Sequence, residues 1–242
     1  MNLDALKRKL IVWMIRNHPG AYVRRKKLGS YRVARDTEFL QLHAELLEDN
    51  RGIQTLAERY NIYSLVKATS RLPGALAEAG VYRGGSAKVI CKCKGQSPLY
   101  LFDTFEGLPK ANQTMDGGFQ EGGFGDTSRD DVAQYLAEFP EVHLYKGFFP
   151  DSAKGKEPET KTYRFVHLDL DLYESTLNAL GFFYPRMTPG GVIVSHDYNC
   201  LGVPGVAKAF HEFFSTRPEP IVPLWDTQCV ISKMGAAPEL PR

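Results

Sequence analysis

A chain of 242 residues with a formal net charge of +2 has the length and composition of one ordinary globular domain. Four cysteines are too few for a disulfide scaffold in a chain of this length, and Cys91 and Cys93, with Cys200 and Cys229 far along the chain, match no zinc-ligand spacing. We therefore expect reduced thiols and a cytoplasmic protein, because the apolar run at residues 10–15 is too short for a membrane span or a signal-peptide core.

The amino-terminal segment is strongly basic. Its first 35 residues carry ten Lys or Arg against one acidic residue, Asp4. Several apolar side chains share one face at helical spacing, namely Leu3, Leu6, Leu10, Trp13 and Met14. This pattern predicts an amphipathic helix that contacts an anionic membrane or glycolipid, or else docks on its own domain or on a second subunit of a homo-oligomer. No base-reading motif accompanies the basic run, so we expect no nucleic-acid partner.

The predicted elements divide the chain into a helical appendage, residues 1–70, and a main domain, residues 71–242. In the main domain, short β-rich runs alternate with helical stretches, which predicts an α/β fold with a doubly wound, mostly parallel sheet and helices on both faces. The predicted strands are residues 74–79, 99–102, 142–145, 165–170 and 192–195, and a closing hairpin is predicted at 221–224 and 229–232. The predicted helices are residues 86–94, 128–138, 173–186 and 206–214, with a turn at 189–191.

A long glycine-rich stretch, residues 107–126, lies between the second strand and the next helix. It contains Phe119 and Phe124 and is longer than an ordinary connection. Such loops are lids or binding loops, or else disordered surface segments, and the sequence leaves both interpretations open.

A glycine-rich turn follows the first predicted strand and leads directly into a helix. Glycine lets a backbone approach a ligand closely, and a helix N-terminus offers N–H groups to a carboxylate or phosphate. The dinucleotide fingerprint G-x-G-x-x-G is not matched, because Tyr82 stands two residues after Gly80, and this disfavours an NAD-dependent oxidoreductase. Glu78 suits a cationic amino group such as that of S-adenosylmethionine, and Asp103, which ends the second strand, suits the two hydroxyls of a ribose. The residues expected to bind a nucleoside cofactor are Glu78, Gly80, Tyr82, Gly84, Gly85, Ser86 and Asp103.

Polar side chains end the fourth and fifth predicted strands. A period of two places His167, Asp169 and Asp171 on one side of the fourth strand, and His196 and Asp197 follow the fifth. Since neighbouring parallel strands end at the same ligand crevice, we expect Asp169, Asp171, His196 and Asp197 to converge. Their carboxylates repel one another unless a cation lies between them, which predicts a divalent metal site. The alternative is that Asp171 caps the helix beginning at Tyr173 and Asp197 starts a turn. His167, deeper in the strand, is expected to be a core residue.

Several segments in register resemble the macrocin O-methyltransferase family, namely residues 78–86, 101–109, 147–150, 169–176 and 189–194. The resemblance covers roughly residues 60–214. It implies a class I methyltransferase (Rossmann-like) fold with a mostly parallel seven-stranded sheet, S-adenosylmethionine as methyl donor, and Mg²⁺ bound at positions that match Asp169, His196 and Asp197. The family usually has Asp-Asp-Tyr where this chain has His196-Asp197-Tyr198, and imidazole suits transition metals better than Mg²⁺, so another divalent cation remains open.

The function implied is methyl transfer to a hydroxyl of a sugar or glycoside, that is, to a small-molecule or glycan acceptor. The metal would bind and orient neighbouring oxygens of the acceptor, and a base would take the hydroxyl proton. Asp171 is the first choice for this base and His196 the second. The alternatives are a non-catalytic cofactor-binding relative and a related enzyme that modifies a diol or glycan by other chemistry.

Overall fold

The computed structural model describes residues 3–26, 31–112 and 114–235. Four helices precede the first strand, as the sequence predicts, with a short 3₁₀ turn at Arg32–Arg35. They are α1 (Leu3–Asn17), α2 (Pro19–Arg25), α3 (Thr37–Asp49) and α4 (Leu56–Ala68). Helix α4 begins with a capping box, in which Thr55 and Glu58 each bond the backbone of the other.

The main domain contains a seven-stranded sheet in the order β3-β2-β1-β4-β5-β7-β6. The first five strands are parallel, and β7 pairs antiparallel with β5 and β6. The strands are β1 (Ala75–Ala79), β2 (Leu99–Asp103), β3 (Val142–Lys146), β4 (Tyr163–Leu168), β5 (Met187–Ser195), β6 (Val222–Pro223) and β7 (Cys229–Ser232). This topology confirms the predicted doubly wound sheet and its closing hairpin, and it makes β4 and β5 neighbours.

Four further helices cover the sheet, and 3₁₀ turns lie at Asp151–Ala153, Glu157–Thr160 and Tyr184–Arg186. The helices are α5 (Gly85–Cys93), α6 (Arg129–Tyr135), α7 (Tyr173–Phe183) and α8 (Pro204–Phe214). One core lies between the sheet and α3, α4 and α5, and a second lies between the opposite face and α7 and α8. Because both faces are covered, β1 and β4 are buried along their whole length.

Two element boundaries differ from the predictions in ways that affect the site. Strand β4 ends at Leu168, so Asp169 and Asp171 lie in the following loop and not on the strand. Asp171 has a φ of 60°, which breaks the alternation of side chains assumed from the sequence. Strand β5 begins at Met187, so the turn predicted at 189–191 lies inside the strand, where the register on β4 shifts between Met187 and Val192 and Gly190 has a φ of 82°. Gly190 and Gly191 exchange hydrogen bonds with Lys233.

Helices α3 and α4 pack directly on the sheet, as expected of the amino-terminal segment. Leu42, Leu46 and Ile62 share one core with sheet residues such as Leu76, and the division at residue 70 stays a prediction. Among the described residues, no helix is long and apolar enough to cross a membrane.

Candidate active site

A cleft of about 900 Å³, open mouth included, lies at the carboxyl ends of β1, β2 and β4. It is lined by the glycine-rich turn after β1, the end of β2, the loop after β4 and the segment before α4. This is the edge of an open α/β sheet where ligands bind. Of the predicted cofactor residues, the cleft is lined by Gly80, Tyr82, Gly85, Ser86 and Asp103.

The glycines of the turn are required by close approaches within the protein itself. A Cβ on Gly80 would stand 1.8 Å from the carbonyl oxygen of Asp169, and Gly80 has a φ of 86°. A Cβ on Gly85 would stand 2.8 Å from the carbonyl oxygen of Arg51. Gly84 does not line the cleft; it precedes α5 and faces Val132 and Tyr135. Because these glycines have no side chain, the loop after β4 and the segment before α4 can pack directly against the turn that follows β1.

Asp103 organises the turn with both of its carboxylate oxygens. Its Oδ2 accepts from the backbone N–H groups of Val81 and Tyr82, at 2.7 and 2.8 Å, and its Oδ1 accepts from that of Phe105, at 2.7 Å. A carboxylate offers about four acceptor sites, so capacity remains for a further donor. The contact with ribose hydroxyls stays a prediction.

Glu78 and His167 form a completely buried pair beneath the cleft. Oε1 of Glu78 lies 2.7 Å from Nδ1 of His167, and neither side chain has exposed surface. The core position predicted for His167 is confirmed. Glu78 does not line the cleft, and the structure does not test its expected contact with an amino group. That contact stays a prediction for Oε2, a buried oxygen without a hydrogen-bond partner among the described residues.

The loops after β4 and β5 bring the predicted metal residues together. Ligand atoms of Asp169, His196 and Asp197 lie within 4.8 Å of one another. Nδ1 of His196 is 3.3 Å from Oδ1 of Asp169 and 3.1 Å from Oδ2 of Asp197. This nitrogen is buried and, within the described part of the chain, has no hydrogen bond of acceptable geometry. This nitrogen and the two carboxylates fit a cation, which would displace the proton that Nδ1 carries when His196 is charged.

Asp171 lines the cleft beside this cluster. Burial and the nearby charges of Asp169 and Asp197 raise the pKa of Asp171 well above its usual range. The alternative prediction, that Asp171 caps the helix beginning at Tyr173, is wrong. The first N–H group of α7, on Tyr173, is bonded at 2.7 Å by the buried carboxylate of Asp116, which belongs to the long glycine-rich loop. Asp197 does begin a turn, since its carbonyl oxygen accepts from the N–H of Cys200 at 3.1 Å.

Glu58 of α4 is a member of the site that sequence reasoning missed. Its Oε1 lies 3.3 Å from Nε2 of His196 and accepts from the hydroxyl of Thr227 at 2.5 Å. Burial opposes charge on both residues, but the bonds from His196 and Thr227 lower the pKa of Glu58 to about 2. The neighbouring carboxylates of Asp169, Asp197 and Glu58 raise the pKa of His196 to about 12. The T-x-x-E capping-box pattern at residues 55–58 marks the helix start in the sequence, but not the contact with His196.

Gln54 is the second residue that was missed. Its Nε2 donates to Oδ2 of Asp169 at 2.8 Å, and the side chain lines the cleft. Its Oε1 is buried and has no partner in the described ranges. Residues before α4, predicted to belong to an appendage, therefore form one wall of the site.

The long loop between β2 and α6 is ordered over its described residues and closes one side of the cleft. Leu108 and Gly122 are joined by a backbone hydrogen bond of 2.9 Å, and Asp126 accepts from the hydroxyl of Tyr82 at 2.7 Å. Phe124 packs edge-to-face on Tyr82 and lines the cleft. The interpretation as a disordered segment is wrong for the described residues, which exclude Gln113, and the interpretation as a binding loop stays a prediction.

The sheet order, the glycine-rich turn and the polar cluster at the strand ends define a class I methyltransferase fold. The crystal structure of CalS11, a calicheamicin methyltransferase, has a TM-score of 0.66 and 18% identity to this chain, covering 94% of this chain and 91% of CalS11. The model of the macrocin O-methyltransferase family matches residues 9–231. The chain therefore belongs to that family, as its motifs indicate.

Two curated relatives are O-methyltransferases of Streptomyces and Micromonospora. The 8-demethyl-8-(2,3-dimethoxy-alpha-L-rhamnosyl)-tetracenomycin-C 4'-O-methyltransferase of Streptomyces olivaceus is 29% identical over 59% of this chain and 58% of its own length. The mycinamicin III 3''-O-methyltransferase of Micromonospora griseorubida is 28% identical over 63% of this chain and 66% of its own length. The chain thus spans somewhat less than two thirds of the relatives it matches.

Proposed function

We propose that this chain is an S-adenosylmethionine-dependent O-methyltransferase that uses a divalent cation and acts on a hydroxyl of a sugar or glycoside. The observation that carries the proposal is a cleft lined by Asp169, Asp171 and the glycine-rich turn, in which Asp169 also belongs to a cluster of possible cation ligands with His196 and Asp197. Family membership supports the activity, and the named substrates of the relatives, a rhamnosyl tetracenomycin and mycinamicin III, support the acceptor class.

The residues of the cleft fit the methyl donor. S-adenosylmethionine, when bound, supplies an electrophilic methyl group. Gly85 and Ser86 place the N-terminus of α5 at the cleft, where N–H groups can bind a carboxylate. The remaining acceptor capacity of Asp103, which lines the cleft, suits a hydroxyl.

The polar cluster fits a divalent cation held by Asp169, His196 and Asp197. Such a cation, when bound, lowers the pKa of a coordinated hydroxyl and restricts its orientation. Glu58 holds the far side of the His196 ring and thereby turns Nδ1 towards the two aspartates. One imidazole nitrogen among carboxylate oxygens is a donor set that Mn²⁺ and other transition ions accept at least as readily as Mg²⁺.

Asp171 is proposed to take the proton of the acceptor hydroxyl. It lines the cleft together with Asp169 and Gly80, and it is not engaged as a helix cap. The exposed side chains of Ile53 and Phe148 line the mouth of the cleft and give an apolar surface for the part of the acceptor that carries the sugar. His196 is the second candidate for the base.

The direct experiment is transfer of isotopically labelled methyl from S-adenosylmethionine to a panel of rhamnosylated and other glycosylated natural products, with Mg²⁺, with Mn²⁺ and with a chelator. We expect label on a sugar oxygen of at least one acceptor and loss of transfer with the chelator. Full transfer with the chelator would contradict the metal mechanism. Binding of S-adenosylhomocysteine without transfer to any acceptor would favour the non-catalytic relative.

A further inference from the structure

Helix α1 has two apolar faces, of which only one is covered. Val12 and Ile15 are 5% and 3% exposed, because they pack against Leu40 and Ala44 of α3. The stripe predicted from the sequence to be the contact face lies on the other side. Four of its members, here called the outer stripe, are exposed by 46% to 64%: Leu3, Leu6, Leu10 and Trp13.

The predicted docking of this stripe on its own domain is wrong, whereas its predicted contact with a membrane stays a prediction. Of the five residues expected to share the apolar face, Met14 alone packs partly on the protein. The face of α1 that packs on the protein is therefore the one that carries Val12 and Ile15, and not the predicted stripe. Since the inner face fixes α1 on α3, the outer stripe is held outward in one orientation.

The charges nearest the outer stripe are mainly positive, although Arg16 at the end of α1 is paired with Glu48 of α3 at 2.6 Å. At 3.6 residues per turn, Lys7 and Lys9 lie on opposite flanks of the stripe, and both are exposed. Across residues 3–26 the sequence has seven Lys or Arg and one acidic residue, Asp4, a net charge of +6. Asp4 pairs with Lys7 at 3.6 Å on the exposed surface, a contact of little energetic weight.

This charge pattern disfavours a second copy of the chain as the partner. A two-fold interface through the outer stripe would place the same surface on both sides, so the basic flanks of the two copies would face one another. An anionic bilayer is complementary to both the apolar stripe and its basic flanks. Its acyl region accepts the leucines, and its headgroups attract the flanking lysines. Trp13, just before the last turn of the helix, is a residue type enriched at the headgroup level.

We propose that the outer stripe of α1 binds the surface of an anionic lipid bilayer, with the helix axis parallel to the membrane plane. The leucines enter the boundary between headgroups and acyl chains, while Lys7 and Lys9 remain among the headgroups. The inner face stays on α3, so the whole protein is carried to the membrane. This inference does not depend on the proposed methyl transfer.

The test is cosedimentation of the full chain with vesicles of phosphatidylcholine alone and of phosphatidylcholine mixed with phosphatidylglycerol. We expect binding to the mixed vesicles that weakens as salt is added, because the electrostatic part is screened. The double variant Leu6→Glu, Leu10→Glu should lower the partition coefficient by about tenfold or more, since two apolar side chains no longer enter the bilayer. Both positions are exposed, so the variant should keep the melting temperature of the wild type.

The matched control is Leu201→Glu, which changes a leucine that is 98% exposed in the loop before α8 and should leave vesicle binding unchanged. Three results would overturn the proposal. They are equal sedimentation with neutral and anionic vesicles, no sedimentation with either, and wild-type binding by the double variant. A wild-type dimer by light scattering that the double variant converts to a monomer, without vesicle binding, would assign the outer stripe to a second copy.

Discussion

Oε1 of Glu58 lies 3.3 Å from Nε2 of His196, a contact that joins the amino-terminal helix α4 to the end of β5. Glu58 is itself fixed, since it accepts from the backbone N–H of Thr55 at 2.8 Å and from the hydroxyl of Thr227 at 2.5 Å. A carboxylate behind a histidine sets the orientation of the ring. The orientation of His196 therefore depends on a segment more than a hundred residues away in the sequence.

Replacing Glu58 with Gln tests this dependence. The variant keeps the shape of the side chain but removes the charge behind the ring, so the affinity for a divalent cation should fall by about ten- to a hundredfold. The measurement is calorimetric titration of Mn²⁺ and of Mg²⁺ into protein freed of metal. Glu38→Gln, on the exposed surface of α3, is the matched control and should bind as the wild type does. Unchanged cation affinity of E58Q would show that Glu58 does not position His196.

Gln54→Ala tests the second contact from the amino-terminal region. The change removes the donor to Oδ2 of Asp169, and a hydrogen bond to a charged group of this kind corresponds to a loss of about tenfold or more in turnover. Steady-state kinetics should show the loss in kcat, with the Kd of S-adenosylhomocysteine nearly unchanged. Wild-type turnover would mean that Asp169 keeps its position without Gln54.

Asp171→Asn separates proton transfer from binding. An amide cannot take a proton from the acceptor hydroxyl, so kcat should fall by about a hundred- to ten-thousandfold. The dissociation constants of S-adenosylhomocysteine and of the acceptor should change little. An unchanged rate would transfer the role of base to His196.

Asp116→Ala tests a structural contact. The buried carboxylate bonds the N–H of Tyr173 at the start of α7 and that of Asn112, at 2.7 and 2.8 Å. Loss of these two partly buried hydrogen bonds to a charged group should lower the free energy of unfolding by about 2 kcal/mol. Urea denaturation followed by circular dichroism measures this change. Asp130→Ala, on the exposed side of α6, should change the free energy of unfolding by less than about 0.5 kcal/mol. Equal midpoints for the two variants would contradict the capping role of Asp116.

The sequence predicts the sheet and those residues of the site that follow its strands. Asp169, His196 and Asp197 follow strands whose neighbours can be deduced from the alternation of elements, and the ends of parallel strands share one edge. The end of β4 was misplaced by two residues because Leu170 continues the apolar pattern. The periodicity cannot show that the chain turns at Asp171, which has a positive φ.

The other half of the site comes from tertiary contacts that leave no local signal. Gln54, Glu58 and Asp116 are ordinary polar residues in segments that the sequence assigns to an appendage or a loop. Their partners lie far along the chain, and only packing of α4 and the long loop against the sheet brings them together. The same applies to α1, because two of its faces are apolar and helical spacing alone does not decide which one docks.

The central claim is that the cleft binds the methyl donor beside a cation site. Its most direct test is calorimetric titration of S-adenosylhomocysteine into the purified chain, once with Mg²⁺ or Mn²⁺ and once with a chelator. We predict micromolar binding in at least the first condition, and binding should persist in Asp169→Ala, which removes a cation ligand but leaves the glycine-rich turn intact. A folded sample that binds no S-adenosylhomocysteine in either condition would contradict the proposed function and leave only the fold.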